Sequence, residues 1–88
     1  MKTYEYNVLI GYLTDINEDL GILKLVDLYG KCYIFKSKLK YLSSYEGEMG
    51  FLFLAKFNIT MISSNSQSGI LGCMNCTFSC YELQRLAD

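Results

Sequence analysis

Short apolar runs of alternating character, punctuated by glycine-containing turns and never interrupted by proline, narrow the fold of this chain more than any other feature. Seven glycines stand mostly between those runs, which are filled by Val, Ile, Thr, Tyr and Phe. β-Branched and aromatic side chains suit a pleated, half-buried surface, so the pattern predicts an all-β domain. A chain of 88 residues builds one small core and leaves little volume for a large catalytic cleft.

Tyr4 to Ile16 reads as a first strand with Val8, Ile10 and Leu13 toward the core, followed by the polar turn Asp15-Ile16-Asn17-Glu18-Asp19. After Gly21, Leu23 and Leu25 alternate with Ile22, Lys24 and Val26, which buries one face and leaves the cation on the other. Asp27-Leu28-Tyr29-Gly30 is a turn. The third run places Cys32 and Ile34 inward and Tyr33 and Phe35 together on the opposite face. Phe51 to Ile62 is the longest strand candidate, Ser63 to Gly69 a polar hairpin loop, and Ile70 to Phe78 the last strand. Ser79 followed by Glu82 is a capping-box pattern, which predicts a short helix over Tyr81 to Ala87.

The spacing of Gly11, Asn17, Gly21, Gly30, Tyr33, Phe35, Ser37 and Leu39, continued by Glu46-Gly47-Glu48 and Met74-Asn75-Cys76, resembles a cold-shock domain over nearly the whole chain. The resemblance implies a five-stranded antiparallel OB-type barrel over residues 1–80, with a helical tail over 81–88 as an addition. It also implies a single helical turn at Ser37-Lys38-Leu39-Lys40, a loop over Ser43 to Gly47, and a fourth-strand register with Leu52 and Leu54 inward. Phe51, Phe53 and Phe57 then point outward.

Cold-shock domains stack the bases of single-stranded RNA or DNA on aromatic side chains of their second and third strands. Here Ile22 and Lys24 replace two of those phenylalanines, Asp15 stands at the usual exposed Trp, and Lys36 replaces a further Phe. Tyr33 and Phe35 remain as the candidate stacking pair, with Lys24, Lys36 and Lys38 along the phosphates. Each lost stack removes roughly 1–3 kcal/mol. Eight Lys and Arg against nine Asp and Glu argue against strong nonspecific duplex binding and leave single-strand stacking open.

An outward Phe51, Phe53 and Phe57 supports a second function, a protein-interaction surface. Its carrier is a homodimer, an adaptor or a small inhibitor of the kind viruses encode; the competing reading has Tyr4-Glu5-Tyr6 or the C-terminal segment covering the three rings. Cys73, Cys76 and Cys80 are spaced like metal ligands, with Cys32 as a fourth thiolate, yet reduced thiols in a cytosolic protein account for the same residues. No metal or other cofactor is expected. The chain has no His, no glycine-rich phosphate loop and no Ser or Cys with an evident base, so an enzyme is not expected. Without a leader-like segment, and with Phe51 to Phe57 broken by Lys56, the expectation is a cytoplasmic protein without a membrane partner.

Overall fold

The computed structural model describes residues 2–63 and 74–86. Among them are the strands β1 (Lys2–Asn17), β2 (Ile22–Asp27), β3 (Cys32–Ser37), β4 (Leu52–Ser63) and β5 (Met74–Arg85), with a 3-10 helix over Leu42–Glu48. The strands close into a barrel in the order β1-β2-β3-β5-β4. β1 closes it by pairing twice: Gly11 to Asn17 with β2, and Lys2 to Tyr12 with β4. At Gly11, which with Tyr12 takes part in both pairings, an added Cβ would lie 2.7 Å from the Val26 carbonyl oxygen, so only glycine fits there.

The β2 alternation comes out as its pattern predicts, with Leu23 and Leu25 completely buried. The turn after β2 is held by the Asp27 carboxylate, which accepts the Tyr29 and Lys31 N–H groups, each at 2.9 Å. Gly30 completes it at φ 88°, a conformation that favours a residue without Cβ.

In β3 and β4 the faces are the reverse of those expected. Tyr33 pairs with Leu25 and Phe35 with Leu23. Directly opposed residues share a face, so the buried leucines carry both aromatics inward. Phe35 is 0% exposed and Tyr33 packs against the core, while Cys32 and Ile34 are exposed. Phe53 and Phe57 are likewise core, and Phe51 packs against it half-buried. Their rings fit because small residues face the same interior: Gly11 pairs with Phe53, and Ala55 lies between Leu9 and Leu83. β1 follows suit, burying Leu13 as expected but exposing Val8 and Ile10.

Three further expectations are corrected. The sheet is mixed, because β3 and β5 run parallel through Lys36↔Ser79 and Ser37↔Cys80. The helical turn after β3 forms later than expected, over Leu42–Glu48, and takes in the Ser43 to Gly47 segment. No helix follows the barrel at Tyr81: β5 runs on to Arg85, with Leu83 buried opposite Ala55. Ser79 and Glu82 carry a capping signal, but the long β4 partner supplies the backbone bonds that a local helix would have made. Residues 64–73 of the expected loop and last strand, and 87–88 of the expected tail, lie outside the described residues.

Candidate interaction surface

Inverting the faces moves the functional question to the barrel exterior. On β1, Val8, Ile10 and Tyr12 point outward and are 55%, 40% and 44% exposed. Their β4 partners are Lys56, Leu54 and Leu52, and Tyr12 also pairs with Val26 on β2. The β2–β3 hairpin continues this wall with the pairs Val26↔Cys32, Lys24↔Ile34 and Ile22↔Lys36. The outer wall across these four strands therefore carries aliphatic side chains and one tyrosine, interspersed with Lys24, Lys36 and Lys56.

Polar groups rim it. Lys56 Nζ lies 3.1 Å from a Glu82 carboxylate oxygen, and Lys24 Nζ lies 3.9 Å from Asp15. Both pairs are half-exposed, so each contributes at most about 1 kcal/mol. Gln84, opposite Leu54, completes the β5 side. An apolar centre with a polar rim is the usual composition of a protein-contact patch. A bulge in β1 between Tyr4 and Asn7 adds a further exposed aromatic. Tyr6 sits there at φ 64° and is almost fully exposed, and the Asn7 side-chain amide donates to the Tyr4 and Phe57 carbonyls across the bulge.

The expected base-stacking pair does not reach this surface. Phe35 contacts Phe57 edge-on at 5.0 Å between ring centroids, and Phe78 lies 5.9 Å from Phe35 and 6.4 Å from Tyr33. The Tyr33 hydroxyl donates to Asp27 at 3.3 Å, and Lys31 Nζ sits 5.3 Å above the Tyr33 ring. The Lys31 and Tyr29 N–H groups and the Tyr33 hydroxyl hold the Asp27 carboxyl below its ordinary value of 3.8. Of the expected phosphate contacts, Lys24 is ion-paired, while Lys36 and Lys38 are exposed beside and beyond the end of β3. Phe53 and Phe57 are buried in the core rather than turned outward, and half-buried Phe51 lies under the Arg85 guanidinium, 3.8 Å from its ring centroid.

The thiols are separated by environment. Cys32 and Cys76 are exposed, whereas Cys80 is fully buried and donates to the Glu82 carbonyl. Burial pushes the Cys80 thiol up to about 11, so it stays protonated near neutrality. Among the described residues no group of three or more His, Cys, Asp or Glu is placed to hold a metal, and Cys73 lies outside them. No helix among them is long and apolar enough to cross a membrane.

Sequence patterning places Val8, Ile10, Leu52 and Leu54 inward and gives no role to Tyr12. The sequence signal that points the other way is Lys56, whose charge shares the strand parity of Leu52 and Leu54 and marks that face of β4 as the wet one. Comparison with family models, with curated proteins and with solved structures finds no match for this chain.

Proposed function

We propose that the chain is an OB-type barrel, resembling a cold-shock domain in architecture, that acts as a protein-interaction module through the outer wall of β1, β2 and β4. The strand order, the parallel β3–β5 contact and the helix between β3 and β4 support the OB reading. The observation that carries the function is the outward apolar row of Val8, Ile10 and Tyr12, all exposed, beside half-buried Leu52, Leu54 and Val26. Monomeric soluble proteins seldom leave such a wall bare. A partner of matching chemistry presents an apolar centre bordered by polar groups that meet Lys56, Glu82 and Gln84.

Single-strand nucleic-acid binding is the competing reading, and one observation favours it. Lys24, Lys31, Lys36, Lys38 and Lys40 are five of the eight basic residues and fall within residues 24–40. Without stacking on Tyr33 and Phe35, these cations leave an electrostatic contact that weakens steeply with salt.

Fluorescence anisotropy with labelled single-stranded RNA and DNA decides between them. The interaction reading expects no saturable binding near ~0.15 M salt, where exposed charges are screened beyond about 8 Å. It also expects Ile10→Asp to keep the wild-type far-ultraviolet spectrum and thermal midpoint while losing any protein retained by the wild type. Micromolar oligonucleotide binding at that salt, lost in Lys36→Ala with Lys38→Ala, overturns the proposal.

A further inference from the structure

Both strands that flank β4 break register at the same level. On β1, Tyr4 pairs with Ile59 and Asn7 with Phe57, so Glu5 and Tyr6 share the single residue Asn58. On β5, Glu82 pairs with Lys56 and Cys80 with Phe57, which leaves Tyr81 as the extra residue. Each bulge therefore delivers a tyrosine, and both are exposed, Tyr6 at 83% and Tyr81 at 37%. Phe57 is core, so by alternation Lys56 and Asn58 lie on the outer face between the two bulges. With neighbouring strands about 4.8 Å apart, the bulges stand roughly 10 Å from each other across β4.

Tyr6 is costly where it stands. Its φ of 64° is the one left-handed value outside glycine among the described residues, a conformation that a bulky side chain adopts only under constraint. The constraint is Asn7, whose side-chain amide donates to the Tyr4 carbonyl at 2.9 Å and to the Phe57 carbonyl at 3.3 Å. Glycine or asparagine would meet the backbone requirement more easily. What they would not supply is a ring, and re-aiming a side chain is what a bulge does. The ring is held outward at the margin of the β1 row, just before Val8.

We propose that Tyr6 and Tyr81 together clasp a proline-rich segment of a partner protein, in its polyproline II form, across Asn58; this rests on the protein-interaction reading and names the partner's chemistry. The site selects that occupant. At this level β4 is paired with β1 on one side and β5 on the other, so a partner cannot add a strand to it and must be held by side chains. Lys56 is already committed to Glu82, 3.1 Å away, which disfavours an acidic or phosphorylated motif. A polyproline II chain has no internal hydrogen bonds, so its carbonyls can accept from the two tyrosine hydroxyls while its rings pack on theirs at little cost in chain entropy. Carbon contacts of about 4 Å on each side fit one such chain between bulges this far apart.

Amide shifts of isotope-labelled protein titrated with decaproline test this, with a glycine-serine peptide of equal length as the control. Saturable shifts are expected around Tyr6, Val8, Asn58 and Tyr81 with decaproline and none with the control. Tyr6→Asn should weaken the binding about tenfold or more and keep or raise the thermal midpoint, because asparagine enters the left-handed region more readily. Tyr81→Ala should lose the binding with an unchanged far-ultraviolet spectrum. Absence of saturable shifts at millimolar decaproline overturns the proposal, as does a Tyr6→Asn variant that binds like the wild type. In either case a protein retained by the wild type and lost in Ile10→Asp would keep the interaction reading while removing this partner from it.

Discussion

The two halves of β5 solve the same problem in different ways. From Ser79 onward the strand is held on both sides: β4 on one, and on the other Lys36, Ser37 and Lys38, then the Tyr45 hydroxyl, which donates to the Leu83 carbonyl at 3.2 Å. Arg85 adds an ion pair to Glu48, and the Leu86 N–H donates to the Leu52 carbonyl. From Met74 to Phe78 the only strand paired with it among the described residues is β4. What fills the space beside β3 there is side-chain volume, the cluster of Tyr33, Phe35, Phe57 and Phe78. One half is therefore fixed by directional bonds and the other by packing.

The packed half should suffer most from a lost ring. Phe35→Ala removes the centre of the cluster and should lower unfolding free energy by about 3–5 kcal/mol, read from urea denaturation. A loss below about 1 kcal/mol would show that the cluster does not hold the packed half. For the bonded half, Tyr45→Phe deletes one hydrogen bond and keeps the ring 5.8 Å from Phe53. Its expected cost is about 0.5–1.5 kcal/mol, with faster amide exchange confined to the residues around Leu83.

The smallest effect comes from acid. Asp27 anchors Tyr33, and its folded carboxyl is held below the ordinary 3.8 by the Lys31 and Tyr29 N–H groups and the Tyr33 hydroxyl. The folded state thus favours the carboxylate, so this contribution is complete above the unfolded value and is lost as pH falls through the folded one. Asp27→Asn should flatten stability against pH below about 4, and an unchanged acid slope would remove Asp27 as the anchor of the packed half.

How much of the fold was legible depended on whether a strand's charge was used to set its faces. Lys24 between Leu23 and Leu25 declared which face of β2 is wet, and that reading holds. In β3, apolar Cys32 and Ile34 alternate with Tyr33 and Phe35, and period-two patterning has no phase when both faces are apolar; a shift of one residue exchanges interior for exterior. In β4, Lys56 shares the parity of Leu52 and Leu54 and marks their face as the wet one, against the register that the family resemblance implies. That exchange took Phe35, Phe53 and Phe57 from the expected surface and put Ile10, Leu52 and Leu54 there instead. The helix expected after Ser79 failed for a different reason, since a capping motif is a local preference and a free strand partner outweighs it.

By itself the sequence determined the class of the molecule: glycine-bounded β-branched and aromatic runs without proline form strands, Gly11 permits the close approach of β1 to Val26, and Asp27 with Gly30 closes the hairpin. Only the tertiary structure decided which face of β1 and of β3 is inside. Cross-strand register ties the parity of β3 to the buried leucines of β2, and it sets Phe53 against Gly11, whose missing side chain leaves room for the ring. Those constraints link residues far apart in the chain, and they turned Val8, Ile10 and Tyr12 to the exterior.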